Sequence, residues 1–275
     1  MPLFQPCAAT ALLLALAAPG APPSAHPPVS VSVEDLASEW RTLREEYETA
    51  QEKFLESFRA RYDKFDYDQA SAEEKEEYQR FWREGQPGPK FLPRFEAFAA
   101  KAKGTDAAVE AWGLVLDLAP QAGEQAALTR ALDALTHCVE SAEMASIAGQ
   151  LQYVWGAPPE KVQALLELLC EKSPHRKVQA AATFSLGAML AQRDDDESKA
   201  RARKLLVELS EKFADVVARG KRSYAQMASG FLFELDHLQV GMLAPDMEAL
   251  DVDGAKFRLS DFRGKVTVVD FWGYW

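Results

Sequence analysis

VEDLASEWRTLREEYETAQEKFLESFRARYDKF, residues 33–65, carries an apolar stripe through a charged background. Leu36, Trp40, Leu43, Tyr47, Ala50 and Phe54 alternate spacings of four and three, and Phe58, Tyr62 and Phe65 continue the row. That period places them on one face of a long amphipathic helix, with Glu, Arg and Lys covering the other face. An aromatic stripe of this kind is read as a packing seam.

Further helices are expected outward from it. Ser71 and Glu74 have capping-box spacing and open a second helix that runs to about Trp82. Gly85-Gln86-Pro87-Gly88-Pro89 reads as a loop. A helix is then predicted over 93–103, ended by Gly104, and another from the Thr105/Asp106 cap, with Val109, Trp112, Val115 and Leu116 inward. More are expected over 124–139, 142–155 and 159–172. Ser173-Pro174 reads as a start signal, serine capping free N–H groups and proline losing no bond at the first position. The last two are placed over 198–217 and 223–237. Short helices with short loops suggest antiparallel pairs stacked as in an α-solenoid, without a strict sequence period. The expected class is therefore mainly α, a solenoid- or TPR-like array over residues 32–238.

The array shows no catalytic pattern. His137, His175 and His237 lie far apart, without metal-ligand spacing to another His or Cys. The run Asp194-Asp195-Asp196-Glu197 lacks the glycine and spaced ligands of a calcium loop and reads as a solvated connection. Cys138 and Cys170 sit in helical, largely apolar patterns, which leaves core thiols and a disulfide between neighbouring helices both open. No cofactor is called for. The surface of the array remains a candidate for a protein partner.

Lys+Arg number 31 and Asp+Glu 42, a formal net charge of −11, and no Asp, Glu, Lys or Arg precedes Glu34. Such an acidic balance repels phosphate backbones and argues against nucleic acid as a partner. Ahead of the array, Ala8–Ala18 is an apolar run followed by a Pro/Gly/Ala/Ser stretch. It is too short to span a bilayer but suits the apolar region of a secretory leader over residues 1–25, with Gly20 or Ala25 as cleavage candidates. Cys7 precedes the run and is poorly placed for lipidation. The expected location is the periplasm, the cell envelope or the exterior.

Near Val240 the helical pattern gives way to strand chemistry. Residues 248–252 and 256–259 read as short strands joined at Asp253-Gly254, and Ser260–Gly264 as one helical turn ended by glycine. Then Lys265-Val-Thr-Val-Val-Asp270-Phe271-Trp272 has the β-branched apolar composition of a strand buried on both faces. Together, Gly241, Ala244-Pro245-Asp246, Asp253-Gly254, Leu259-Ser260-Asp261, Arg263-Gly264-Lys265-Val266 and Val269-Asp270-Phe271-Trp272 resemble the redoxin/TlpA branch of thioredoxin-like proteins, near the AhpC/TSA family. The residues of 172–179 and 233–238 resemble, more loosely, the helical region of planctomycete-type redoxin proteins.

The resemblance implies that residues 239–275 are the opening of a thioredoxin-like α/β domain. It implies that Trp275 matches the tryptophan before a C-x-x-C motif, and that Asp270 matches the buried aspartate that assists proton transfer. The reactive cysteine or selenocysteine is then expected immediately after Trp275. Disulfide exchange needs a thiolate whose pKa a helix N-terminus lowers, with a resolving partner beside it. Neither is present in residues 1–275, so this chain alone is expected to be inactive. A UGA codon for selenocysteine read as a stop is one expected cause; a fragmentary gene, a nonsense mutation or an incomplete contig are the others. The family implies protein disulfide clients as partners of an exported oxidoreductase. The alternatives are a thiol-dependent peroxidase acting on peroxide, and a non-catalytic helical-repeat binding protein. About 35 residues of such a domain are too few for a core, and the Val-rich run is expected to stay exposed unless it docks.

Overall fold

Residues 32–270 are described by a computed structural model. The leader expected over 1–25, Cys7, Phe271, Trp272 and Trp275 lie outside the described residues. From Val33 onward the chain belongs to a single unit. It is mainly α, with a small β portion near the C-terminus. In chain order the helices are α1 (Val33–Tyr62), α2 (Ala72–Gly85), α3 (Gly88–Lys101), α4 (Asp106–Ala122), α5 (Gln125–Leu135) and α6 (Met144–Gln150). A 3₁₀ turn, Leu151–Tyr153, extends α6, and α7 (Pro159–Lys172), α8 (Arg176–Ala191), α9 (Asp196–Lys212) and α10 (Tyr224–His237) follow. Two hairpins complete the described chain: β1 (Val217–Arg219) with β2 (Arg222–Ser223), and β3 (Glu248–Leu250) with β4 (Lys256–Arg258).

Caps fix where several helices begin. The capping box expected at Ser71 is present, the Ser71 hydroxyl accepting from the Glu74 N–H while the Glu74 carboxylate accepts from the Ser71 N–H. Thr105 accepts from the Ala108 N–H and starts α4; Gly123, in the left-handed region at φ 71°, ends it. Ser223 and Gln226 form a second capping box at α10.

Other boundaries differ from expectation for physical reasons. The supposed loop 85–89 shrinks to Gln86-Pro87, because a proline in the first helical turn loses no bond and α3 begins at Gly88 rather than at residue 93. Helix α5 stops at Leu135, four residues early; the Thr136 hydroxyl donates to the Asp133 carbonyl 2.6 Å away and competes with helix continuation. Helix α6 covers only 144–150 of the expected 142–155 before tightening into the 3₁₀ turn. Ser173 does not cap α8: it is buried behind α7, its hydroxyl accepts from the His175 N–H, and α8 begins at Arg176. The acidic run is not all loop. Asp195 accepts from the Ser198 N–H as the cap of α9, and Asp196 and Glu197 lie in its first turn, where carboxylates favour the helix dipole. Helix α9 ends at Lys212, and Val217, expected to be helical, enters β1.

The core joins Leu36, Trp40, Leu43 and Tyr47 of α1 to the inner faces of α3–α10. Helix α8 is its centre. Val178, Leu190 and the run Ala180–Ala188 are buried, and α8 packs against α6, α7, α9 and α10. Its small side chains permit close approach: a Cβ on Gly187 would lie 2.9 Å from Leu206 Cγ on α9. Exposed ion pairs stitch the outside of the array, among them Arg94–Glu46, Lys101–Glu39, Arg44–Glu110, Arg130–Glu96, Arg201–Glu167 and Arg203–Asp236. Solvent screens exposed pairs of this kind, so packing rather than pairing holds the helices together. No helix among the described residues is long and apolar enough to cross a membrane.

Candidate functional site

The segment after α10 carries the family-like motif, and its polar residues turn out to be structural ties. Gly241, at φ 90°, turns the chain away from the helix, and Ala244-Pro245-Asp246 leads into β3. Strands β3 and β4 pair antiparallel with Glu248 opposite Arg258, Ala249 opposite Phe257 and Leu250 opposite Lys256. The turn forms around Asp251, whose carbonyl accepts from the Gly254 N–H at 3.0 Å and whose carboxylate accepts from the N–H groups of Asp253 and Ala255. Gly254 sits at φ 82°, as expected of the glycine in a hairpin loop.

Asp246 and Ser260 close this unit across 14 residues. One Asp246 oxygen accepts from the Ser260 N–H and the other from the Ser260 hydroxyl, each at 2.8 Å. Those two bonds, backbone first, hold the Asp246 carboxyl below the usual carboxylate range. Beside it, the Met247 carbonyl accepts from the Leu259 N–H at 3.0 Å. Asp261 accepts from the Arg258 N–H at 2.8 Å and fixes the 3₁₀ turn Leu259–Phe262, capped by Arg263; Gly264, at φ 82°, belongs to the tight turn after it, where the Lys265 N–H donates to the Phe262 carbonyl. Phe257 and Phe262 meet edge to face, 5.9 Å between centroids. Glu248 is shared by Lys256 and Arg258 at 3.0 and 3.2 Å.

The Val-rich run departs from the strand expected of it. Among the described residues, Val266–Asp270 form no strand and find no pairing partner; Val266 is 100% and Val268 89% exposed. A strand is buried on both faces only when neighbours cover it, and no described segment takes that place. Asp270 is accordingly exposed rather than buried as the resemblance implies.

The two described thiols offer no nucleophile. Cys138 and Cys170 are free and partly buried, which answers the disulfide alternative. Burial pushes the Cys138 thiol up, against a smaller pull from Lys103. Burial likewise raises Cys170, whose sulfur lies 3.5 Å from the Thr183 hydroxyl. A raised thiol stays protonated and unreactive near neutral pH. His175 contacts the Glu140 carbonyl through Nε2 at 2.9 Å, and His137 and His237 are exposed. No group of His, Cys, Asp or Glu side chains among the described residues is arranged to hold a metal ion.

A groove of about 430 Å³ between α1, α4 and α6 was not foreseen. Glu110 accepts there from Trp40 Nε1 and from Arg44, both at 2.9 Å. Desolvation by the surrounding groove raises the Asp117 carboxyl, and burial followed by the Asp117 charge raises the Tyr47 phenol. The sequence signal was the lone acid in the apolar run Leu114–Ala119. Acids, the Arg44 guanidinium and the Ser146 hydroxyl line the groove.

No family profile and no solved structure matches the chain. Among curated proteins it is similar to thiol-disulfide oxidoreductase ResA of Geobacillus kaustophilus, 43% identical over 47 residues, and to ResA of Bacillus thuringiensis strain Al Hakam, 37% over 46 residues. Each match covers 17% of this chain and 27% of the relative, so the chain spans about a quarter of the length of these relatives. Over that short span, the chain is related to thioredoxin-like redox proteins.

Proposed function

We propose that the chain carries the opening of a thiol–disulfide exchange domain on a helical scaffold, and that the protein is exported. The observation that carries this reading is the Asp246–Ser260 clamp. It fixes a hairpin and 3₁₀ turn directly ahead of the Val-rich run, built from the motif residues that resemble the redoxin/TlpA branch. The short ResA similarity supports the same redox class. In this reading residues 241–275 position a reactive thiol or selenol that follows Trp275. That group attacks a client disulfide, one client sulfur leaves as thiolate, and a resolving thiol releases the client reduced. Phe271, Trp272 and Trp275 flank the reacting atom, and Asp270 becomes buried once neighbouring strands cover it. Cys138 and Cys170 take no part, because they are protonated, partly buried and on the array.

The test is to express the chain together with its encoded continuation past Trp275 and to assay insulin reduction and peroxide consumption side by side. The expected result is insulin reduction that vanishes when the first residue with a thiol or selenol after Trp275 becomes serine, with residues 1–275 alone inactive. Peroxide consumption without insulin reduction transfers the assignment to a thiol peroxidase. A continuation without any such residue ends the redox reading and leaves a helical binding protein, a role that the continuous core of α1 and α3–α10 would support.

A further inference from the structure

The groove between α1, α4 and α6 has one end whose charges are met and one whose polar groups are not. At the first end Arg44 is held by Glu110 at 2.9 Å and by Glu48 at 3.3 Å, and Trp40 Nε1 donates to the same Glu110. Two helical turns on from Trp40 and Glu110, Tyr47 of α1 and Asp117 of α4 line the second end, near enough for the Asp117 charge to act on the phenol. The chain through α6 runs alongside α4 in the same direction. Ser141 bonds to Asp106 and Ile147 rests against Gly113, which carries Gln150 toward the Asp117 end. Gln51, one turn beyond Tyr47, lines the same end.

Tyr47 is only 9% exposed, its ring packed on Phe91 and Phe95 with 5.2 and 5.3 Å between centroids. Its hydroxyl is not sealed in the core as that of Tyr62 is, and it opens onto the groove. Among the described residues no hydrogen bond or ion pair engages the Tyr47 hydroxyl or the Asp117 carboxylate; burial acts on both, and the Asp117 charge on Tyr47 besides. Desolvating such groups is costly, and a bound molecule that supplies their bonds offsets that cost.

We propose that this end of the groove binds a protonated primary amine on an alkyl stem, the ammonium seated between Asp117 and Tyr47 and the stem against Leu114 and Ile147. The lining selects that group. An ammonium brings N–H donors and no acceptor, and the carboxylate, the phenol oxygen and the amide oxygen of Gln51 or Gln150 are acceptors to match. Glu48, Glu110, Asp117 and Glu143 are the acids of the lining, and its one cation among the described residues, Arg44, is already engaged by Glu48 and Glu110. An added positive charge is therefore compensated there and a negative one repelled. A metal ion is not matched, since no group of His, Cys, Asp or Glu side chains among the described residues is arranged to hold one. The floor is apolar and close: a Cβ on Gly113 would lie 2.6 Å from Ile147 Cδ1. The volume of about 430 Å³ admits an aminoalkyl group and lies within the range of small-ligand sites, about 300–1,000 Å³.

An NMR titration of the full chain with n-butylamine near neutral pH, where the amine is a cation, tests this. The expected result is saturable binding with a Kd of about 1 mM, the amide shifts confined to the groove faces of α1, α4 and α6. Asp117→Asn should weaken binding at least about tenfold and Tyr47→Phe about three- to tenfold, with circular dichroism unchanged. The chain is acidic overall, so loose attraction is the competing account; Glu84→Gln removes the same charge outside the groove and should leave the Kd unchanged. N-Butylacetamide, which keeps the stem and lacks the charge, should not bind. Nα-Acetyl-lysine N-methylamide distinguishes the sources of the amine. Binding at least about tenfold tighter than that of n-butylamine assigns the lysine of a protein partner, and equal or weaker binding assigns a free amine. The proposal is overturned if neither amine saturates the groove by about 50 mM, if binding survives Asp117→Asn, or if Glu84→Gln weakens it as much as Asp117→Asn does. Equal binding of N-butylacetamide overturns it as well.

Discussion

The same substitution, glycine to alanine, should change stability in opposite directions at Gly187 and Gly230. Both lie inside helices, α8 and α10, where alanine gains about 1 kcal/mol over glycine in propensity. At Gly230 the added Cβ meets nothing within 4 Å, so that gain stands and Gly230→Ala should stabilise by about 1 kcal/mol. At Gly187 it would lie 2.9 Å from both Leu206 Cγ and Cδ2 and 3.7 Å from the Ala202 carbonyl oxygen. Leu206 is fully buried, so it cannot swing away without displacing α8 or α9. Overpacking of this kind costs about 1–3 kcal/mol, which exceeds the propensity gain and leaves Gly187→Ala destabilised by roughly 1 kcal/mol. Urea unfolding followed by circular dichroism reads both values. For a unit of this size each kcal/mol moves Tm by about 2–4 °C. In a Leu206→Ala background the clash disappears, and Gly187→Ala should become stabilising, with a coupling of about 1–3 kcal/mol. If Gly187→Ala stabilises the parent chain as much as Gly230→Ala does, the close α8–α9 approach is wrong.

Cys138 and Cys170 should react with a disulfide reagent at pH 7.5 at least about tenfold more slowly than free cysteine, and faster as pH rises, because burial raises both thiols; unfolding in guanidinium should restore ordinary rates. Rapid labelling of the native chain would contradict this. The Asp246 carboxyl should titrate below ordinary aspartate in a pH series of NMR spectra, and Ser260→Ala should move it upward. Since the folded value is depressed, the clamp's contribution is complete above the ordinary aspartate pKa near 4 and is lost as pH falls through the lower folded value. Hairpin resonances that ignore pH in that window would count against the clamp. Among the described residues the buried Tyr62 hydroxyl makes no hydrogen bond of ordinary geometry, so Tyr62→Phe should be neutral or stabilising by up to about 1 kcal/mol in the same urea assay; a loss beyond that range would reveal a bond to this hydroxyl, with Arg61 as the nearby donor.

Local signals were legible where one residue type served one purpose. Ser71 with Glu74, Thr105 before Asp106, and Pro159 through Lys172 all stand where their chemistry predicts. Misreadings arose where a residue had two uses. Ser173-Pro174 has the composition of a helix start, but the Ser173 hydroxyl and carbonyl are taken by His175 N–H and Gln179 Nε2, so the helix opens two residues later. The acidic run at 194–197 looks like solvated loop because cap and first-turn carboxylates share that composition. The β1–β2 hairpin was missed although Gly220, at φ 61°, marks its turn; its strands are too short to show a period. Within the motif segment, Asp246, Gly254, Ser260 and Gly264 could be placed from sequence, since their partners are nearby in the chain. The unpaired state of Val266–Val269 could not be, because β-branched composition does not say whether another segment is present to pair with it. The groove at Asp117 escaped because its walls come from three helices.

The position of α8 governs how the array comes apart. If each helix touched only its sequence neighbours, the assembly could fray from either end one helix at a time, with a graded loss of protection. Because α6, α7, α9 and α10 all rest on α8, none of them can leave without stripping contacts from the same pillar. The C-terminal half should therefore open as one cooperative block, its amides sharing a single exchange free energy. Any movement of α10 that carries the attached hairpin then has to be a rigid swing beyond His237, since the alternative is to melt the whole block.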